Sequence, residues 1–253
     1  MTLRLLSYNI LAGGEQRLPL IASLIRQQQP GVVALQEARS RSNVEALAHL
    51  LGMSYTLGEA HNTQRDHVVW LSHLPVIRAT NHPWPILAKT LLEIEVLWQG
   101  TPLALFTTHL KAGQDLENEQ RRIAEMQAIL HLLQAHHNPL QILAGDFNTI
   151  HPADHPNTSA YVAVLQARGE KAPTPQFPRR VIPLLLQAGY VDCYRALHSF
   201  TPGDTSYTSH QALRVDYIFA SRALAQRLTA CDILREGDAK DASDHFPMWA
   251  EFS

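Results

Sequence analysis

"QILAGDFNTI", residues 141–150, starts as an apolar run suited to a buried strand and ends on a carboxylate, an aromatic ring and an amide. Side chains alternate along a strand, so Asp146 and Asn148 are expected on one side of an extended backbone. By itself Gly145-Asp146 reads first as a turn, because Gly, Asp and Asn are ordinary turn formers. The second reading is a site, with both polar groups aimed into one cleft. The rest of the chain decides between them.

Working outward, "LRLLSYNIL" (3–11) reads as a first strand closed by Gly13-Gly14. Leu20, Ile21, Leu24 and Ile25 then recur at helical spacing up to Pro30. "GVVALQEA" (31–38) reads as a short buried strand ending in Glu37, and "SNVEALAHLLG" as a helix with Ser42 as N-cap and Gly52 at its end. "HVVWLSHLPVI" (67–77) is strand-like. "KTLLEIEVLW" and "PLALFTTHL" flank Gln99-Gly100-Thr101, the pattern of an antiparallel hairpin. "LENEQRRIAEMQAILHLLQAHH" is the longest helix, with Ile123, Met126, Leu130 and Leu133 as its buried stripe and its charges as a solvated face. The stretch from His151 to Arg180 is rich in proline and reads as a surface excursion with a short helix near Tyr161–Ala167; it is either a functional loop or a variable insertion. "ALRVDYIFAS", "RLTACDILRE" and "SDHFPMWAEF" give the last strands. Strands and helices mix without regular βαβ alternation, so the expected class is α+β, a single domain over residues 1–253 with largely antiparallel or mixed sheets.

The composition is that of an ordinary globular chain, 45 % hydrophobic and 17 % charged. With 21 Lys+Arg against 23 Asp+Glu, the charge of −2 exerts no long-range pull on polyanions, which weighs against a protein built to grip long nucleic acid. Cys193 and Cys231 form no CxxC pair and read as reduced, buried thiols. No leader is visible, and no apolar run approaches the ~20 residues that span a bilayer, so no transmembrane segment is expected and the expected location is cytoplasmic. No obligate protein partner is indicated.

The polar residues carry the functional signal. Asn9, Glu37, His109, Asp146 with Asn148, Asp216, and Asp244-His245 each sit at or beside the end of a strongly apolar segment. A buried charge must be paired, hydrogen-bonded or metal-bound. One such residue is a capped turn; several imply convergence at one edge of the sheets. Hard oxygen donors, Glu37, Asp244 and Asn9, suit Mg²⁺ or Mn²⁺. A cation there would serve attack on a phosphate ester. Asp216 within reach of His245 would fix the imidazole's tautomer and orientation.

"SYNIL", "VVALQEA", "TTHL", "GDFNT", "RVDYIFAS" and "SDHFPMWAEF", in this order from residue 7 to residue 252, resemble the endonuclease/exonuclease/phosphatase superfamily, which includes deoxyribonuclease I. The resemblance implies a four-layer α/β/β/α sandwich of two mixed, largely antiparallel sheets flanked by helices, with the site at one sheet edge. It implies Glu37 as the principal ligand of Mg²⁺ (or Mn²⁺), with Asn9 and Asp244 as helpers. Asp146 and Asn148 resemble the pair facing the attacked phosphate and water, His109 the phosphate-side histidine, and Asp216 with His245 the Asp–His pair. One position departs: Leu11 stands where some nucleases of the family carry an acidic residue.

The implied activity is metal-dependent hydrolysis of a phosphodiester by in-line attack of water, on a nucleic acid or a small phosphoester. The alternative is a phospholipid, sphingomyelin or inositol-phosphate hydrolase of the same fold, which should expose an apolar loop; "HPWPIL" (82–87) is the candidate. Arg65, His67 and Lys111 are candidate substrate contacts, with surface salt-bridging as the other reading of the first two. A non-catalytic scaffold should have lost site residues, and none is lost apart from Leu11. The fourteen histidines give no zinc spacing, since His136-His137 and His61/His67 come without cysteine partners.

Overall fold

The computed structural model describes residues 2–61, 65–169, 177, 179–200 and 206–253. In chain order the strands are β1 (Leu3–Asn9), β2 (Val32–Gln36), β3 (Ser54–Gly58), β4 (Val68–Ser72), β5 (Val76–His82), β6 (Leu91–Trp98), β7 (Thr101–His109), β8 (Gln141–Asp146), β9 (Tyr190–Asp192), β10 (Asp216–Ser221), β11 (Leu228–Ile233) and β12 (Met248–Phe252). The main helices are α1 (Leu18–Gln28), α2 (Arg41–Leu51), α3 (Leu116–Ala135), α4 (Thr158–Ala167), α5 (Val181–Gln187) and α6 (Cys193–Leu197).

The strands form two six-stranded sheets, ordered β11-β12-β1-β2-β4-β3 and β5-β6-β7-β8-β10-β9. Each sheet contains one parallel pair, β1 with β2 and β7 with β8, among antiparallel neighbours. The inward residues of both sheets, among them Leu5, Ala34, Ile94, Leu105, Ile142 and Ile218, share one core with Ile21, Leu24 and Leu47 of α1 and α2. On the far face of the second sheet, Phe106, Leu143 and Tyr217 pack against Met126 and Ile129 of α3 and Ile182 of α5. The result is the expected α+β sandwich of two mixed sheets flanked by helices.

Several local expectations are corrected. Asn9, not Leu11, ends the first strand, because Leu11 and Ala12 turn into the left-handed region at φ 49° and 52°. The run 67–77 splits into β4 and β5, which belong to different sheets. The N-cap of α2 is Ser40 rather than Ser42: its hydroxyl accepts from the Asn43 N–H at 3.3 Å. Ser40→Ala should therefore cost about 1 kcal/mol, about 2–4 °C in Tm for a chain of this size, and Ser42→Ala close to nothing. Equal losses in thermal denaturation would contradict this cap. The elements α5, β9 and α6 have no counterpart in the sequence reading; Pro183 falls in the first turn of α5, where a missing N–H costs little. The short helix expected near Tyr161–Ala167 is α4, and residues 170–176 and 178 of the proline-rich stretch lie outside the described residues.

The largest correction concerns α3. Its apolar stripe is buried, but so are Glu119, Arg122 and Glu125. Arg122 pairs with Glu119 at 2.9 Å and donates to the carbonyls of Lys111 and Gly113. Glu119 accepts from the N–H groups of Arg180 and Val181, and from the hydroxyl of Thr149. Glu125 accepts from the N–H groups of Ala88 and Lys111. These charges are not solvated; they hold the backbone of the loop before β6 and of the loops that follow β7 and β8.

Candidate active site

The two parallel pairs explain why distant polar residues meet. Register pairs Asn9 with Gln36, the residue before Glu37, and His109 with Asp146. The antiparallel strand β10 begins at the same edge, with Asp216 directly opposite Asp146. Asn9, His109, Asp146 and Asp216 are all buried.

The Asn9 side-chain NH₂ donates to Glu37 Oε1 at 3.2 Å and to Asp146 Oδ2 at 3.1 Å, so one amide joins the two sheets' carboxylates. Its oxygen accepts from the Leu11 N–H, which fixes the amide's orientation. Glu37 has left the strand, at φ 59°; its carbonyl accepts from the N–H groups of Gly13 and Arg39, and its Oε2 from the Ala12 N–H. Asn148 has likewise left the strand, at φ 51°. Its N–H caps Asp146 Oδ1 at 3.0 Å and its NH₂ donates to the Leu110 carbonyl. The simple alternation expected for Asp146 and Asn148 therefore fails: the strand ends at Asp146 and the amide lies in a turn wrapped around it.

Asp244 and His245 do not open the last strand, which begins at Met248. They lie in the loop before it, held where the Ser243 hydroxyl donates to the Asn9 carbonyl and the Phe246 N–H to the Thr208 carbonyl. His245 Nδ1 lies 2.8 Å from Asp216 Oδ2, and its Nε2 is 3.8 Å from Asp146 Oδ2. His109 Nε2 is 3.4 Å from the same Asp146 oxygen. The Thr208 hydroxyl accepts from the N–H groups of Val215 and Asp216 and fixes the start of β10. Asp244 is set apart at the rim, its carboxylate 3.6 Å from Arg168 and its carbonyl accepting from the His210 N–H.

Burial alone would push the His245 imidazole down; Asp216, by charge and hydrogen bond, and then Asp146 overcome it and hold the ring protonated up to about 10. Asp146 is raised to about 7, first by burial and then by Asp216, against the pull of His245 and of hydrogen bonds from Asn9 and Asn148. His109 is driven well below its ordinary range by burial and then by the nearby Lys89. The sign of the His245 shift fixes a stability slope. A folded imidazole with a raised pKa contributes its full stabilisation below its ordinary value of about 6.5 and loses it as pH climbs toward about 10. Thermal scans in chelator should show Tm falling over that window, and His245→Gln should flatten the fall. An undiminished slope in the variant would remove His245 as its source.

Residues the sequence reading missed now surround the cluster. Arg39 lies 3.7 Å from Glu37 Oε2 and 2.6 Å from Asp66, which is buried. Lys89 is buried beside His109. Their signal was present, as a lysine just before an apolar strand and an arginine two residues past Glu37, but only the pairing of strands gives it meaning. His67 Nδ1 accepts from the Ala60 N–H, while Arg65 is exposed. In "HPWPIL", Trp84 packs against the second core and only Ile86, 50 % exposed, offers a large apolar side chain to solvent.

Behind His210, whose N–H donates to the Asp244 carbonyl, opens a cavity of about 450 Å³, lined also by Ile150, Asn157, Tyr207 and Arg214 among others. Arg214 is itself buried and clamped by Asp154 and Asp192, each at 2.8 Å.

The same arrangement of sheets is found in solved structures. An AP endonuclease from Archaeoglobus fulgidus superposes with a TM-score of 0.75 at 20 % identity over 99 % of both chains. The 3′ phosphatase NExo from Neisseria, bound to a product DNA hairpin, gives 0.73 at 20 % identity, again over 99 % of both. TDP2 from D. rerio, complexed with a single-strand DNA product, gives 0.70 at 18 % identity over 100 % of this chain and 99 % of that one. No curated protein matches the sequence. At these identities the superpositions speak for the fold. The family model described as "Endonuclease/Exonuclease/phosphatase family" matches residues 6–245, a span that holds every residue from Asn9 to His245 discussed above, and the chain belongs to that family of hydrolytic enzymes.

Proposed function

We propose that the chain is a divalent-metal-dependent phosphodiesterase acting on a nucleic-acid end or a small phosphoester. The observation that carries this reading is the cross-strand pair Asp146 and Asp216, with the imidazole of His245 set against both. The donor set fits a hard cation. Glu37 and Asp146 share one amide, and Asp146, Asp216 and His245 present donor atoms within 4.8 Å of one another. Asp216 Oδ1 is buried without a hydrogen-bond partner among the described residues. Mg²⁺ or Mn²⁺ suits carboxylate oxygens. Glu37 would hold it, with Asn9 aligning the two carboxylates and Asp244 available from the rim. When bound, the cation neutralises a phosphoryl oxygen and the charge that develops on it.

The protein groups do the rest. Asp146 takes the proton of the attacking water, with Asn148 beside it, as the water oxygen bonds to phosphorus and the P–O bond opposite breaks; the alcohol released takes its proton from solvent. His245, charged and oriented by Asp216, donates through Nε2 to the phosphoryl group. His109, kept neutral, gives it a second hydrogen bond. The cavity behind His210 would take the group carried on the far side of the phosphate, and Arg168, paired with Asp244, would meet an anionic substrate; Lys111 lines a separate groove with Ile86 and Arg121. The DNA products bound by the two solved relatives support a nucleic-acid end; a chain with a charge of −2 favours short substrates over long duplex. A lipid substrate is disfavoured by the half-buried Trp84. The buried free thiols of Cys193 and Cys231 support a reducing, cytoplasmic setting.

Hydrolysis of bis-p-nitrophenyl phosphate should vanish in chelator and return with Mg²⁺ or Mn²⁺. Glu37→Gln should raise the Mg²⁺ needed for half-maximal rate by at least ~10-fold, the scale seen when metal surroundings are altered. Full turnover by the metal-stripped enzyme would sink the proposal. A panel of single-stranded DNA, duplex DNA, RNA, phosphoinositides and sphingomyelin then names the substrate, and a steep loss of binding with added salt marks nucleic acid.

A further inference from the structure

A second cluster of titratable groups lies on the outer face of the second sheet. Pleating puts Glu93 and Glu95 of β6 on one face, and both carboxylates are buried there. Chain reversal after α3 lays His136 and His137 over them: His136 leaves the helix in an extended conformation, with its side chain buried, while His137 is 69 % exposed. His137 Nε2 is 3.3 Å from Glu95 Oε1 and His136 Nε2 is 3.9 Å from it; His136 Nε2 is also 3.3 Å from Glu93 Oε1. His82 Nε2 holds the other Glu93 oxygen at 2.8 Å.

Two buried carboxylates this close demand positive charge. The nearest fixed cation is Arg78, 3.9 Å from Glu93 and half exposed. Glu95 Oε1 is buried with no hydrogen-bond partner among the described residues. Around a tetrahedral zinc ion with ligands at about 2.0–2.2 Å, neighbouring donor atoms lie roughly 3.3–3.5 Å apart, which matches the His137–Glu95 spacing; the His136 and His137 rings stack at 4.6 Å, so the exposed His137 ring has to turn for both nitrogens to face one ion.

We propose that Glu95, His136 and His137 form a binding site for a borderline divalent transition metal, Zn²⁺ above all, separate from the catalytic cluster. Two imidazoles and a carboxylate are the ligand class such ions prefer, and the exposure of His137 leaves the fourth position open to water. Glu93, held by His82, adds its negative charge beside the site. Ligation through His136 Nε2 moves the ring proton to Nδ1 and gives up two long hydrogen bonds, the one from Nε2 to Glu93 Oε1 at 3.3 Å and the one Nδ1 accepts from the Asn138 N–H at 3.2 Å. Sequence spacing hides the site because the carboxylates come from a strand some forty residues before the histidines and no cysteine takes part. The site would tie the end of α3 to β6, away from the edge that bears His109.

The test uses the full chain, stripped of metal and dialysed against Zn²⁺ in millimolar Mg²⁺, and reads the Zn²⁺ that the parent retains beyond what the variants retain. One Zn²⁺ per chain should be retained, and Co²⁺ in its place should give the visible bands of a tetrahedral nitrogen–oxygen site. Glu95→Gln and His137→Ala should each weaken retention by at least ~100-fold, since even surrounding residues cost 10–100-fold, and should leave bis-p-nitrophenyl phosphate turnover in Mg²⁺ unchanged. His137 is exposed enough that its variant will fold. No Zn²⁺ retained by the parent chain, or equal retention by parent and variants, would overturn the site and leave the cluster an ion-pair network.

Discussion

Asp146→Asn should lower kcat on bis-p-nitrophenyl phosphate by about 10³-fold, within the 10²–10⁴ range of a general base, while KM moves little and the protein stays folded. The substitution keeps the shape of the side chain and removes its charge and its capacity to take a proton. In the native cluster that capacity is tuned by burial and by Asp216, which together lift the carboxyl to about 7, where a base serves best at neutral pH. Stability should not fall with activity, because Asp146 sits opposite a second buried carboxylate and losing one of two like charges relieves repulsion. His245 completes the same unit: the double variant Asp146→Asn/His245→Gln should be no more than a few-fold worse than the poorer single variant, since groups that act together are not additive. Steady-state kinetics in saturating Mg²⁺ with parallel thermal scans decides it. Activity within about tenfold of the parent would remove Asp146 as the base, and multiplied losses would show that the two groups act independently.

The residues of this cluster were legible because strand ends in a buried sheet carry little reason for polar side chains. Asn9, Glu37, His109 and Asp146 stand out against apolar runs in the sequence alone. Their mutual placement was not legible, since it depends on β1 pairing with β2 and β7 with β8 in parallel, across long stretches of intervening chain. The charges of α3 were misread for a related reason. Helical periodicity counts Glu119, Arg122 and Glu125 as solvent-facing, yet their partners are the backbone N–H and C=O groups of loops that no pattern within the helix can reveal. Ser40 and Ser42 are equally good caps in sequence, and only the backbone at Arg41 selects between them. The proline content around α5 concealed a helix whose Pro183 lies where proline is tolerated. Fold class and site composition thus follow from local chemistry, and connectivity from pairing that local chemistry does not encode.

Gly145→Ala should unfold the protein or cost about 4 kcal/mol, which is about 8–16 °C in Tm at this size, although the change adds one methyl group. Gly145 lies in β8, between β7 and β10, in register with Thr108 and Tyr217. Its φ of 148° is a conformation that side-chain-bearing residues avoid, and a Cβ there would stand 2.0 Å from the Thr108 carbonyl oxygen. That neighbour is backbone in the middle of a sheet, so nothing flexible can yield; the strain of the conformation and the forced separation of β7 from β8 add. The separation also falls one residue from both Asp146 and the pairing that brings His109 to it. Any variant that still folds should therefore show a larger loss of kcat than of thermal stability would suggest, whereas Gly189→Ala, at a positive φ with open space around it, should cost much less. Differential scanning of the two variants beside the parent measures the difference. A Tm for Gly145→Ala within about 2 °C of the parent would mean that the "GDFN" turn does not require the close approach of these two strands.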